Sequence, residues 1–433
     1  MRAAPLLLVM VLLWAAVGGA AVAGWLPMWS WPVAGGVIAL LAAVDLLRLR
    51  MQPSPRVQRQ LPEVLALGVR RAVQLQVDSS RRQRLDLFDL VPGGWQCDGL
   101  PRRLQLRPGT MASVDYHVQP QQRGEAEFAG VHVRLHSPWR LWRQRRLLPP
   151  ALKVRVFPNF APLARFAVFS AEQASRLVGA HLKRRRGEGT DFHQMREYRV
   201  GDSLRQIDWK STSRAGRLIS REYQDERNQQ VVLMIDTGRR MLASEGGLTH
   251  FDHALNAALV VGYLALRQGD GAGLFARTQQ HTRWVAPQRG LGTLQQLLQA
   301  SYDLQPHAVA TDFLAAATAL AQRQPRRALV MLVTNVRDED IDDLLGAVRL
   351  LQRRHLVCVA SLREQELEQA LEVEVDGPQQ AAQAAAVALY LEQRAKAHDA
   401  LRSEKVMVLD VTADALPAAL VQRYLAVKRE GLL

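Results

Sequence analysis

VVLMIDTGRR, Val231 to Arg240, is the stretch on which the reading of the chain turns. Five apolar residues run without alternation and end at an acid, Asp236. Such a run is the mark of a strand covered on both faces, because a half-buried strand would alternate. Further strands are read downstream at Gly271–Ala276, His281–Ala286, Ala328–Val333, Leu356–Ala360 and Val406–Val411. Between these strands, amphipathic periodicity predicts helices over Thr249–Gln268, Leu291–Tyr302, Thr311–Gln322, Ile341–Arg353, Gln379–Arg402 and Pro417–Lys428. Strands alternating with helices imply a doubly wound, mostly parallel α/β sheet over residues 230–433. Ligands in such sheets bind beyond the carboxyl ends of the strands, which is where Asp236 falls.

Immediately upstream lies a segment of different character, 159–229. It is predicted to open as a linker with a helical middle and a basic run, Lys183 to Arg186. It continues as GEGTDFHQMREYRVGDSLRQIDWKSTSRAGRLISREYQDE, Gly187 to Glu226. Residues 181 to 227 hold twelve Lys/Arg and eight Asp/Glu, a density suited to Arg–carboxylate pairing. Arg196, Glu197, Arg205, Asp208 and Arg214 are expected to interlock, with Tyr198 and Trp209 as apolar anchors and Gly201-Asp202 as a turn. Two roles fit: a network that pins the loop onto its neighbour, or a recognition surface for a partner protein.

Further upstream, 56–158 reads as β-rich and sandwich-like. Period-two runs at Ala72–Val77, Arg84–Asp89, Ser113–Val118 and Val131–Leu135 alternate with turn signals such as Pro92-Gly93-Gly94 and Arg107-Pro108-Gly109. Residues 1–50 read as two transmembrane helices. No charged residue occurs from Ala3 to Val44, and about 20 apolar residues suffice to cross a bilayer. The spans are expected at Pro5–Ala23 and Trp29–Leu47, with Trp25, Trp29 and Trp31 near an interface. Ala21-Val22-Ala23 resembles a leader cleavage site, yet the apolar run continues beyond it. Arg48, Arg50, Arg56 and Arg59 follow the second span, so the bulk of the chain is expected on the cytoplasmic side of a two-pass inner-membrane protein.

A net charge of +15 suits either a nucleic-acid binder or a neighbour of anionic lipid, and the apolar N-terminus favours the lipid bilayer. Nucleic-acid binding is set aside for want of a stacking pattern or a known module. Two cysteines, Cys97 and Cys358, are too few for a disulfide scaffold.

The stretch REYRVGDSLRQIDWKSTSR (Arg196–Arg214), the strand ending at Asp236, VFPN (Val156–Asn159) and YLAVKREGLL (Tyr424–Leu433) together resemble the bacterial family called domain of unknown function 58. The resemblance implies a von Willebrand factor A-like fold, a membrane anchor and association with MoxR-type AAA+ ATPases in assembly or maturation of protein complexes. Domains of that fold often hold a divalent ion through a DxSxS loop, a Thr and an Asp. Here the loop is Asp236-Thr237-Gly238-Arg239-Arg240, the Thr is Thr311, and Asn335 stands where Asp is expected. The site is therefore expected to hold no metal or other cofactor, with Arg239 or Arg240 supplying the positive charge. His250 and His253 are expected to be exposed at a helix start. No nucleophile elbow, HExxH helix, Walker A loop or CxxC pair is present, and a protein-interaction module is favoured over an enzyme. The alternatives are an enzyme with a ligand site near Asp236 and the charged segment, or a basic nucleic-acid- or lipid-binding protein.

Overall fold

The computed structural model describes residues 1–160, 191–199, 204–224, 229–278, 281–367 and 377–432. The expected helical linker and the Lys183–Arg186 run lie outside them. The chain is a mixed α/β protein of two units, Met1–Phe157 and Pro158–Leu433.

Unit 1 begins with two apolar helices, α1 (Pro5–Val22) and α2 (Ser30–Arg50), each long and apolar enough to cross a membrane. They interlock through glycine. Trp31 lies over Gly18 and Trp14 over Gly35, where an added Cβ would come within 2.8 Å of the opposing indole nitrogen in each case. The two indoles stack at 5.2 Å, and Trp14 Nε1 donates to the Trp31 carbonyl at 3.1 Å. Their outer surfaces stay bare, with Leu12 69% and Leu40 65% exposed, which is compatible with a membrane anchor.

The rest of unit 1 is β-structure. One sheet runs in the order Arg2–Ala3, Trp142–Leu148, Val131–His136, Gln83–Asp89, Arg102–Leu106. A second runs Arg56–Gln60, Arg71–Asp78, Ala112–Gln119, Gln96–Asp98. A third joins Val64–Ala66, Leu152–Phe157 and Gly124–Phe128. The period-two pattern explains the first two: Val73, Leu75, Val77, Val114, Tyr116 and Val118 of one sheet share a core with Leu85, Leu87, Val133 and Leu135 of the other. One buried polar group ties all three sheets. Arg59 makes a two-pronged contact with Asp89, both side chains fully buried, and lies 4.8 Å from the Phe128 ring. Tyr116 donates its hydroxyl to the same carboxylate. Burial and that carboxylate push the Tyr116 phenol far above its ordinary value, so it remains a donor at any working pH.

The hairpin meets this β-structure at Asp45, in the last turns of α2. Asp45 is fully buried and accepts the backbone N–H groups of Trp139 (3.0 Å) and Leu141 (3.2 Å). Trp142 Nε1 donates to the Ala42 carbonyl at 2.9 Å. On the other arm, Arg2 and Ala3 pair with Arg143 and Trp142 as an added edge strand just before α1 begins.

Unit 2 holds a hairpin, Asp191–Glu197 paired with Ile219–Gln224, with the short helix α3 (Trp209–Ala215) between its strands. Its six-stranded sheet comprises β1 (Gln230–Ile235), β2 (Gly271–Arg277), β3 (Thr282–Gln288), β4 (Leu329–Thr334), β5 (Leu356–Arg363) and β6 (Met407–Thr412). The order is β3-β2-β1-β4-β5-β6, parallel throughout except for the antiparallel edge strand β3. Gly273 lets that edge approach, since a Cβ there would lie 2.6 Å from the Val285 carbonyl oxygen.

The central strand shows why an unbroken apolar run was needed. Val231, Leu233 and Ile235 pack among α4 (His250–Arg267), α5 (Gly292–Ser301) and α9 (Leu416–Glu430). Val232 and Met234 pack on the opposite face among α6 (Phe313–Arg323), α7 (Ile341–Gln352) and α8 (Pro378–Ser403). The helices start where capping chemistry directs. Thr249 and Asp252 form a reciprocal capping box on α4, and Asp343 of α7 accepts the Phe313 N–H of α6 at 2.6 Å. At the amino end of β2, buried Asp270 accepts from Tyr424 and Lys428 of α9, both at 2.5 Å. The closing YLAVKREGLL segment thereby has a structural task.

Replacing Asp45 by Ala strands two buried N–H groups beside an apolar helix, a loss of about 2–4 kcal/mol. We expect D45A to lower the unfolding midpoint of unit 1 in the detergent-solubilised full chain and to open the Ser137–Trp142 turn to protease. An unchanged midpoint and cleavage pattern would show that the helix end and the sheet are held by other contacts.

Candidate functional site

The carboxyl edge of the six-stranded sheet gathers a group of buried polar residues, among them Asp236, Thr334, Asn335, Ser361 and Arg394. Asp236, following β1, is 4% exposed. Its Oδ1 accepts the Gly238 N–H at 2.8 Å and the Thr311 hydroxyl, and its Oδ2 accepts the Thr334 hydroxyl at 2.6 Å. The structure bonds Thr311 directly to Asp236, two residues the sequence offered as ligands of one ion. Asn335 goes elsewhere: its amide donates to Glu364 at 2.7 Å, and its carbonyl oxygen accepts from Arg394 at 2.7 Å.

Gly238 is the residue that permits the Asp236–Thr311 contact. A Cβ at that position would sit 2.1 Å from the Thr311 hydroxyl oxygen, so a serine and this contact exclude each other. The expectation that Arg239 or Arg240 supplies a cation to Asp236 is corrected. Arg240 pairs with Asp340 at 2.7 Å and Glu339 at 3.0 Å, and Arg239 pairs with Glu339 at 3.0 Å. Arg240 beside Glu339 holds that carboxyl below its usual range. Asp236 is answered by hydroxyls instead. These residues do not fit a hard divalent cation, which needs six or more oxygen ligands. Asp236 and Thr311 are bonded to each other, Gly238 offers no side-chain oxygen, and Asn335 is committed to Glu364 and Arg394.

The group that organises this edge is one the sequence reading missed. Arg394 of α8 is 2% exposed. It donates to Asn335 Oδ1 (2.7 Å) and the Val336 carbonyl (3.1 Å) after β4, and to Ser361 Oγ and the Leu362 carbonyl (both 2.6 Å) in β5. It also donates to Asp410 of β6 at 2.9 Å. The available signal was spacing: Tyr390, Arg394 and His398 recur every four residues on one face of an Ala/Gln-rich helix, together with Leu401. His398 lies 3.5 Å from Asp410. Burial pushes its imidazole down to about 4, against the opposing pull of Asp410.

The exposed-histidine expectation is corrected at His250, the first residue of α4, which is 1% exposed. Its Nε2 is 3.8 Å from Glu245 Oε2. Burial pushes His250 down and Glu245 up, disfavouring the charged form of each. His253 is part-buried, with a ring nitrogen 3.0 Å from the Glu245 carbonyl oxygen.

The charged segment forms a β-hairpin rather than a loop. Asp208 caps α3 by accepting the Ser211 N–H at 2.8 Å, and it receives the Arg221 guanidinium, with Nε at 2.7 Å. Those bonds hold the Asp208 carboxyl below its ordinary value, the Ser211 N–H first and Arg221 next. Ile207 bridges Ser220, the Tyr198 N–H meets the Leu218 carbonyl at 2.9 Å, and Gly216 closes the helix at φ 65°. Of the residues expected to interlock, Glu197 meets Arg217 at 3.5 Å on the surface, and Arg196 donates to the Glu197 carbonyl at 3.1 Å. Arg214 is exposed and pairs with no carboxylate among the described residues. Gly201, Asp202 and the side chain of Arg205 lie outside the described residues. Trp209 is corrected as an anchor: it is 67% exposed, and Leu204 is 70% exposed.

Two apolar N-terminal helices compatible with a membrane anchor, stacked β-sheets and a mostly parallel α/β sheet make this a mixed α/β, multi-sheet protein. Residues 194–406 match the family described as Protein of unknown function DUF58, a match that supports membership of that family. No curated protein matches it. Among solved structures it is similar to native alpha-2-macroglobulin from Escherichia coli, spanning domain MG7 to the C-terminus, at 17% identity and TM-score 0.20. That likeness covers 24% of this chain and 17% of the other, so the chain spans under a fifth of that relative. A FixG-related protein from Vibrio parahaemolyticus is similar at 11% identity and TM-score 0.17, over 24% of this chain and 94% of that one. The CARDB domain of PF1109 from Pyrococcus furiosus is similar at 12% identity and TM-score 0.16, over 24% and 90%.

Two outcomes follow from the carboxyl edge. Gly238→Ser displaces Thr311 from Asp236 and lowers the melting midpoint, a cost of about 1–3 kcal/mol, with no recovery in magnesium or manganese. Recovery with metal would reinstate the cation site. His398 has its folded-state value near 4, below the free imidazole's 6.5. Between those two pH values the unfolded chain binds a proton that the folded chain refuses. Stability is therefore full above about pH 6.5 and falls toward pH 4, by roughly 1–3 kcal/mol. Urea unfolding at pH 7 and pH 4.5 should show the fall, and His398→Gln should flatten it.

Proposed function

We propose that this protein is a non-catalytic interaction module, held at the bacterial cytoplasmic membrane by α1 and α2 with its bulk in the cytoplasm. We read unit 2 as a von Willebrand factor A-like body without a metal. The hairpin around α3 then docks a MoxR-type AAA+ ATPase during assembly or maturation of protein complexes.

The observation that carries this reading is the exposure of Leu204 and Trp209, 70% and 67%, on a segment held firm by Asp208 and Arg221. Exposed apolar side chains on a rigid support are what a protein interface needs, and tryptophan often dominates such interfaces. Met195 (49%) and Leu218 (43%) extend the apolar surface. The sheet order, the antiparallel edge strand and the acid following β1 support the von Willebrand reading. The engagement of Asp236 by two hydroxyls and an N–H supports a non-catalytic role. Arginines at the end of α2 support a cytoplasmic body.

The test is capture of the purified ATPase by immobilised full-length protein in detergent. Trp209→Ala with Leu204→Ser should weaken capture at least tenfold, about 1.4 kcal/mol, with the melting midpoint unchanged. Undiminished capture by the double variant would refute the docking surface.

A further inference from the structure

We propose that the base of the helical hairpin is a binding site for the headgroup phosphate of an anionic phospholipid. This rests on reading α1 and α2 as membrane-spanning.

The site is assembled from three pieces of unit 1. Arg48 lies in the last turn of α2, and its guanidinium carbon is 4.8 Å from the centre of the Trp139 ring. Arg140 occupies the next position in the Ser137–Trp142 turn, at φ 62°, in the left-handed region where a side chain is disfavoured. Arg143 follows on the strand Trp142–Leu148, directly paired with Arg2 of the edge strand. Four arginines are thus placed around the point where both helices join the β-structure.

None of the four has a carboxylate partner among the described residues. The Nε of Arg143 is buried and has no hydrogen-bond acceptor there. Local acid is scarce. Asp45 is the sole Asp or Glu from Met1 to Pro62, and none occurs from Phe128 to Ala171. Asp45 itself is spent on the Trp139 and Leu141 N–H groups, the bonds that hold the turn in its strained form. The fold spends a buried carboxylate to present the turn's arginine and leaves the guanidinium groups unanswered.

The level of the site selects the occupant. Trp139 is 40% exposed, and Trp142 is tied to the Ala42 carbonyl of α2. Tryptophan and arginine side by side at the end of an apolar helix match the headgroup layer, where an indole sits at the boundary and guanidinium binds phosphate by paired N–H donors. A phosphate tethered to acyl chains gains from the exposed apolar flanks of α1 and α2; a free phosphate does not.

The experiment uses the full-length chain in mixed micelles. Phosphatidylglycerol should raise its melting midpoint by a few degrees more than the same fraction of phosphatidylcholine. Arg140→Gln with Arg143→Gln should lose at least half of that difference while matching the parent in phosphatidylcholine. The corresponding double lysine variant should keep most of it, and soluble glycerol phosphate should give none. Equal stabilisation by both lipids, equal gains in parent and glutamine variant, or a full effect from glycerol phosphate would overturn the lipid site. Carbonate extraction of native membranes separates the two readings. Release of the chain would sink the membrane anchor itself, whereas retention with indifference to headgroup charge would sink the lipid site alone.

Discussion

One buried guanidinium sets the shape of the carboxyl edge in unit 2. Arg394 reaches the ends of three successive parallel strands from a helix packed on one face. A charge taken from water at that depth is costly unless its donors are matched. Here Nη1 and Nη2 meet two side-chain oxygens, two carbonyls and a carboxylate, while Nε is buried with no acceptor among the described residues. The arrangement fixes where α8 lies, turns Asn335 away from Asp236 and keeps Asp410 close to His398. The neighbourhood of Asp236 is accordingly a set of satisfied hydrogen bonds rather than an open coordination shell.

The same logic recurs elsewhere with different partners. In unit 1 the Arg59–Asp89–Tyr116 group ties stacked sheets whose apolar residues would tolerate sliding, because apolar packing is non-directional and a two-pronged ion contact is not. At the other end of the parallel sheet, Asp270 binds Tyr424 and Lys428 and fastens the last helix. In the hairpin, Asp208 serves both as helix cap and as partner of Arg221. Each of these carboxylates does two jobs, so each segment it joins depends on the other.

Much of the architecture was legible before any coordinates because it follows from burial periodicity. The run Val231–Ile235 had to be covered on both faces, and the alternating runs Ala72–Val77 and Ser113–Val118 on one. The resemblance named Asp236 and Thr311 as candidates for one ion site, but not their direct bond to each other. What escaped was long-range polar pairing. Nothing local marks Arg394 as the partner of residues 59 positions upstream and 16 downstream. His250 looked like a solvated helix start, yet the strands and helices around it bury it. Trp209 was read as an anchor because tryptophan is usually covered, whereas α3 turns it outward. Charge density in 191–224 spoke for pairing but not for which acid would find which base.

The two-residue strand Arg2–Ala3 has a consequence in time as well as in space. It seals the outer edge of a five-stranded sheet, an edge whose bare N–H and C=O groups would otherwise invite another chain. Its hydrogen-bonding partners, Trp142 and Arg143, lie far along the chain. At a synthesis rate of about 5–20 residues per second, they emerge roughly ten to thirty seconds later. During that interval the first helix must be held by something other than the sheet that finally clasps it.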